Sequence, residues 1–225
     1  MNPPQGKNPE KKPLGMQNIG NHSSENSSHS LARDTLHHTE VQWLDSGAGS
    51  SPSPRLFIAA VLRSWMRVAA VFPPPTKSVP ELDAVTFGHD ALGAILEDLW
   101  AAERCLQPGF DVALLCTPPA GELSPTQVIG VMTGSARPHS KGFYIQGLSL
   151  HPLLFRDVDA LLYAAGLLVE SAIDVSLEAG LQGWVISSTT EANSLFWRNL
   201  GFSAPSGPFV KRMGYFDHPP LRRPG

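Results

Sequence analysis

The stretch that decides the fold runs from Phe143 to Phe202 and reads FYIQGLSLHPLLFRDVDALLYAAGLLVESAIDVSLEAGLQGWVISSTTEANSLFWRNLGF. Its first eight residues carry apolar side chains on both alternating faces, which is typical of a strand covered on both sides. Pro152 lacks a backbone donor and ends this strand. Asp157 then offers a carboxylate to the free N–H groups of a helix that begins just after it.

The segment after Asp157 has the pattern of a long amphipathic helix that ends at Gly180, a residue suited to a left-handed stop. Burial of each large apolar side chain is worth about 1.5–3 kcal/mol, which favours docking of this helix on a sheet. The apolar face comprises Val158, Leu161, Ala165, Leu168, Ala172 and Val175. The opposite face, which we expect to be solvated, comprises Gly166, Glu170, Asp174 and Glu178.

A second strand, Trp184 to Ser188, and a second helix, Glu191 to Asn199, follow, and Gly201 ends the helix. The order strand, helix, strand predicts that the two strands pair in parallel through a right-handed crossover.

The strand ending in LSLHP, the long helix and the ending FWRNLGF together resemble the C-terminal half of the GNAT superfamily of acetyl-CoA-dependent N-acetyltransferases. The segments DVALLC and QVIGVMTG, which begin after Phe110, resemble the central antiparallel hairpin of that family. The resemblance implies an α/β (α+β) fold with a mixed central sheet flanked by helices. It also implies transfer of an acyl group from acetyl-CoA or another acyl-CoA, by direct attack, to an amine of a small molecule or peptide.

The same resemblance implies where the cofactor binds. In the family, the edge of the strand before the long helix holds pantetheine. The pyrophosphate binds at a turn of the form Arg/Gln-x-x-Gly-x-Gly/Ala, because glycine lets the backbone approach the phosphates closely. Here that turn contains no glycine, and two of its residues are acidic, which opposes a diphosphate. The implied cofactor-binding residues are Leu148, Ser149, Leu150, Arg156, Asp157, Val158, Asp159, Ala160 and Asn193.

The catalytic residues remain unassigned. Trp197 stands where many relatives have a tyrosine, and an indole N–H is not an acid near neutral pH. His151 is a candidate for the base by residue type, and water, Ser187 or Ser188 could protonate the sulfur. Two functions therefore stay open. One is a GNAT-like acyltransferase with an altered cofactor site, and the other is a catalytically silent GNAT-fold module that binds a partner or ligand.

Composition sets the remaining bounds. The chain has 225 residues, a length that fits one domain with appendages. Its net charge is −3 and its pI about 6.2, so it has no overall positive charge that would attract nucleic acid. The two cysteines, Cys105 and Cys116, have no metal-ligand spacing around them, which favours reduced thiols in a cytoplasmic protein without a metal. We expect no signal peptide and no stable membrane insertion. The sequence does not indicate an oligomeric state.

Four regions are predicted along the chain. Residues 1–54 are rich in Asn, Ser, Pro, Gly and His and are predicted to be a disordered tail. Residues 55–80 form a helix and a proline-rich linker, residues 81–213 the GNAT-like domain, and residues 214–225 a flexible C-terminal tail. In the domain, we expect Asp90 to cap a helix with Trp100 on its apolar face, and the last strand to be Phe209 to Met213.

The segment RLFIAAVLRSWMRVAAVF at residues 55–72 allows three interpretations. The first is a helix packed on the domain with Arg63 and Arg67 directed outward. The second is a helix on a membrane surface, with Trp65, Met66 and Phe72 as anchors. In the third, the first strand of the family lies within residues 68–72.

Overall fold

The structure is a computed structural model, and it describes residues 36, 38–44, 53–72, 89–104, 110–118, 122–136, 142–188, 194–202 and 215–218. Within these residues, one sheet contains six strands in the order of the chain. The strands are β1 (Glu40–Leu44), β2 (Asp111–Cys116), β3 (Val128–Ala136), β4 (Phe143–Leu150), β5 (Val185–Ser188) and β6 (Tyr215–His218). The α-helices are α1 (Pro54–Val71), α2 (His89–Glu103), α3 (Val158–Glu178) and α4 (Ser194–Asn199).

The pairing of the strands confirms the mixed α/β fold that the sequence predicted. Strands β4 and β5 pair in parallel, with Phe143 opposite Val185, and α3 is the crossover between them. The other neighbouring strands pair antiparallel, including the predicted hairpin of β2 and β3. The sequence therefore identified both the central hairpin and the parallel pair.

Helix α3 covers one face of the sheet, and α1 and α2 cover the other. The Asp157 carboxylate accepts a hydrogen bond from the Ala160 N–H at 3.1 Å, and Gly180 has a φ of +74°, so both predicted ends of α3 are confirmed. Leu161 and Leu168 are fully buried. The predicted outer residues Glu170 and Glu178 are exposed, whereas Val175 and Asp174 are both half-buried, at the boundary between the two faces.

By length and composition alone, α3 would also suffice to cross a membrane. Half of its most apolar 18-residue stretch is, however, buried inside the protein. Its apolar composition is therefore that of a core helix packed on a sheet.

Strand β1 corrects two predictions for the N-terminal part of the chain. Residues 40–44, which were assigned to the disordered tail, pair antiparallel with β2 at the edge of the sheet. Val41 and Trp43 pack against the core under α3, and the Trp43 indole N–H donates to Ser171 Oγ of α3 at 2.8 Å. The proposed first strand at residues 68–72 is wrong, because α1 continues to Val71.

Helix α1 packs on the domain as the first interpretation of residues 55–72 predicted. Arg63 and Arg67 are exposed, and Trp65 is fully buried with its indole N–H donating to the Val128 carbonyl at 3.1 Å. Trp65 is therefore not a membrane anchor. The side chains of Met66 and Phe72 remain 52% and 43% exposed.

Two further elements differ from the predictions. Helix α2 begins at His89, so Asp90 lies within its first turn, and Trp100 is exposed, with the Arg104 guanidinium 4.4 Å from its ring centroid. The predicted strand at residues 209–213 lies outside the described residues. The strand beside β5 is instead β6, within the predicted C-terminal tail, and its His218 pairs with Val185.

Candidate functional site

A β-bulge interrupts β4 at Gln146. In the antiparallel register of β3 and β4, Thr133 lies opposite Gly147 and Gly134 lies opposite Ile145, so Gln146 has no counterpart on β3. The parallel pairing with β5 covers Phe143 to Ile145 and ends at the same place. After the bulge, β4 stays paired with β3 as far as Leu150, the last residue of β4. Bulges occur often beside active sites, because they redirect the backbone locally.

Helix α2 packs very closely on the strand next to this bulge. A Cβ atom added to Gly147 would lie 2.7 Å from Ile95 Cγ1 and 3.0 Å from Thr133 Oγ1, so only glycine fits here without a shift. Thr133 Oγ1 is buried and has no hydrogen-bond partner among the residues that the structure describes. The α2 side of the bulge is therefore closed by apolar contact and carries a buried hydroxyl.

The three residues implied for pantetheine lie on β4 beyond the end of its parallel pairing. Leu148 and Leu150 belong to the core under α3, and Ser149 is fully buried. Because these side chains are buried, the strand offers a ligand its backbone groups rather than its side chains. These residues lie on the strand before α3, as the resemblance implied, and their part in binding pantetheine stays a prediction.

His151 caps the short 3₁₀-helix Pro152–Arg156 that follows β4. Its Nδ1 accepts the Leu153 N–H at 3.3 Å, and its ring meets the Trp65 ring edge to face at 5.5 Å. Burial lowers the pKa of His151 to about 4. In the neutral ring, the Nδ1 lone pair is engaged and the proton is on Nε2. This geometry favours a capping role for His151 over a role as general base.

The start of α3 differs from a glycine-rich phosphate turn. Ala160 is buried, and its N–H, one of the donors that a diphosphate would use, is already bound by Asp157. Asp159 is exposed in the first turn of the helix. Arg156 is also exposed, and its guanidinium lies 5.2 Å from the centroid of the Phe72 ring at the end of α1. Val158 is half-buried at the first helical position.

The remaining candidates lie at the end of β5 and in α4. Ser188 is the last residue of β5, and its side chain, like all of Asn193, lies outside the described residues. Trp197 is buried and packs edge to face against Phe196 and Phe202, with ring centroids 5.3 and 4.9 Å away. Trp197 is therefore a core residue in this fold.

Sequence reasoning missed three features of this region: the bulge at Gln146, the buried hydroxyl of Thr133 and the cation–π contact between Arg156 and Phe72. One signal for the bulge was present. Gly147 stands inside a strand, and an interior glycine often marks a bulge or a close approach of another element.

No protein-family model matches the chain, and no curated protein matches its sequence. Among solved structures, the chain is similar to a mutant AtaT toxin bound to the C-terminus of the antitoxin AtaR and acetyl-CoA, with 16% identity, a TM-score of 0.43, and coverage of 81% of this chain and 93% of that one. For GCN5 from Tetrahymena the corresponding values are 9%, 0.44, 80% and 94%. For the PaiA N-acetyltransferase from Thermoplasma acidophilum in complex with coenzyme A they are 13%, 0.38, 80% and 96%.

These identities and TM-scores are low, so the assignment of the fold rests on the topology. The mixed sheet flanked by helices and the antiparallel hairpin of β2 and β3 are features that the resemblance implied. The parallel pair of β4 and β5 joined by α3 is the one that the order strand, helix, strand predicted. The chain therefore has a GNAT-like fold.

Proposed function

We propose that this protein is a GNAT-like N-acyltransferase that transfers an acyl group from acetyl-CoA or another acyl-CoA to an amine of a small molecule or peptide. The observation that supports this proposal is the coincidence of the bulge at Gln146 with the end of the parallel pairing at Ile145. An extended ligand can add to a strand edge through backbone hydrogen bonds, as another strand would. The extended pantetheine arm of acyl-CoA suits the edge of β4 beyond Ile145 in this way.

The residues present fit one part of acyl-CoA better than the other. The edge of β4 provides an extended segment from the bulge to Leu150, and this segment fits pantetheine. At the start of α3, Asp157 and Asp159 bring negative charge, and Asp157 binds a backbone N–H. The two carboxylates therefore repel the diphosphate, and fewer backbone N–H groups can bind it here than in a glycine-rich turn.

Acyl-CoA supplies, when bound, a thioester whose carbonyl carbon an amine can attack. The residues of the chain position acyl-CoA and exclude water from the site. Ile95 of α2 is in van der Waals reach of the strand at Gly147 and keeps the α2 side of the bulge dry. Arg156 offsets part of the negative charge at the start of α3.

We predict that Asp159→Gly strengthens the binding of acetyl-CoA about 5-fold or more, which corresponds to about 1 kcal/mol. The substitution removes a charge and a side chain from the place proposed for the diphosphate. Isothermal titration calorimetry of acetyl-CoA and longer acyl-CoAs against the native chain and the variant measures the effect. Asp159→Asn separates the charge from the bulk, and Glu178→Gly, at an exposed position in the last turn of α3, is the matched control.

Arg156→Ala should weaken the same binding, because it removes the positive charge from this turn. An unchanged affinity for acetyl-CoA in Asp159→Gly and Arg156→Ala alike would contradict a diphosphate site at the start of α3.

The second candidate function is a catalytically silent GNAT-fold module that binds a partner or ligand. The observation that favours it is the hydrogen bond from Ala160 N–H to Asp157, which satisfies one of the free N–H groups of the helix start without any ligand. Absence of acyl-CoA binding by both the native chain and Asp159→Gly would make this module the better account.

A further inference from the structure

The aromatic ring of Phe72 and the guanidinium of Arg156 meet beside the start of α3. Phe72 is the C-cap residue directly after α1, and its N–H donates to the Val68 carbonyl at 2.8 Å. Arg156 is the last residue of the 3₁₀-helix, and the next N–H, that of Asp157, donates to the Leu154 carbonyl at 3.1 Å. Both side chains therefore extend from backbone that is held by hydrogen bonds. The two residues are 84 positions apart in the sequence.

The separation of 5.2 Å between Arg156 Cζ and the Phe72 ring centroid is within the range of a cation–π interaction. Such an interaction leaves guanidinium N–H groups that can donate to the oxygens of an anion. It also restricts a side chain that otherwise has many rotamers. Phe72 is 43% exposed and Arg156 is exposed, so a ligand can reach the pair.

We propose that Phe72 is a positioning residue that holds the Arg156 guanidinium beside the start of α3 for the diphosphate of acyl-CoA. The inference rests on the proposed acyltransferase function. Arg156 brings positive charge to a turn that also carries Asp157 and Asp159. The orientation of its N–H groups therefore determines how well this turn receives an anion. Phe72 fixes that orientation from another element of the fold.

A double-mutant cycle tests this role, with isothermal titration calorimetry of acetyl-CoA as the readout. We expect Phe72→Leu to weaken binding 2- to 5-fold, the equivalent of about 0.5–1 kcal/mol for an exposed cation–π pair. In the background of Arg156→Ala, the same substitution should have no further effect. Phe72→Tyr retains the ring and should retain the affinity. Val71→Ala, at the neighbouring residue that is 69% exposed, is the matched control and should also bind like the native chain.

Each other outcome counts against a specific claim. If Phe72→Leu weakens binding equally with and without Arg156, Phe72 acts through packing, and the positioning role is overturned. If Arg156→Ala weakens binding but Phe72→Leu does not, only the positioning role fails and the proposed function stands. If the native chain does not bind acetyl-CoA, the proposed function and this inference fail together.

Discussion

Leu168→Ala is expected to lower the free energy of unfolding by about 2–5 kcal/mol, the usual range for such a truncation in a core that cannot collapse. Leu168 lies in the middle of α3 and is fully buried against the sheet. A Cβ atom at Gly130 of β3 would lie 3.0 Å from Leu168 Cδ1, so the leucine packs directly on the bare backbone of this glycine. Gly130 has no side chain that can move into the cavity. Urea denaturation followed by circular dichroism measures the loss.

The same helix provides two controls for this experiment. Leu177→Ala removes the same atoms at a site that is 51% exposed, and it should cost clearly less than Leu168→Ala. Glu170→Ala, on the exposed face, should cost about 0.5 kcal/mol or less. Equal losses for Leu168→Ala and Glu170→Ala would show that the buried face of α3 is assigned wrongly.

Acidification should destabilise the protein through His151, by about 3 kcal/mol between pH 7 and pH 4. Burial lowers the pKa of His151 from 6.5 to about 4 in the folded protein. The folded state therefore holds the ring neutral, whereas the unfolded chain binds a proton below its own pKa of 6.5. The contribution of the neutral ring is fully present above pH 6.5 and is lost as the pH falls towards 4.

Urea denaturation at pH 7 and at pH 4.5, for the native chain and His151→Asn, isolates this effect from the titration of the carboxylates. Asparagine retains a side-chain acceptor for the Leu153 N–H but does not titrate. The variant should therefore lose less stability than the native chain between the two pH values. The same loss in both proteins would exclude His151 as the cause.

The sequence predicted the elements whose signals are local and long. Helix α3 has 21 residues with a regular apolar period, a capping Asp157 and a stop at Gly180, and all three features are in the structure. The end strands β1 and β6 have five and four residues and lie in segments rich in polar residues or proline, which the composition assigned to tails. Their pairing with β2 and β5 holds them in the sheet, and such tertiary pairing is not visible in a short segment.

The candidate site was predictable to a similar extent. The resemblance placed Leu148 to Leu150 on the strand before the long helix, where the structure has them, and their role in binding stays a prediction. The bulge at Gln146 depends on the register between two strands, which residue types in one strand do not determine. The state of His151 depends on its contact with Trp65, which comes from α1, 86 positions earlier in the chain. Sequence patterns identify such a histidine but do not reveal its surroundings.

The edge position of β1 has a consequence for the order in which the chain folds during synthesis. Glu40–Leu44 leaves the ribosome before its pairing partner Asp111–Cys116 has been made. Trp43 bonds Ser171, which is 128 positions later. At about 5–20 residues per second, the wait for that partner lasts several seconds to about half a minute. Strand β1 therefore waits for seconds after its own synthesis before these contacts can form, and its apolar residues are accessible to chaperones during that time.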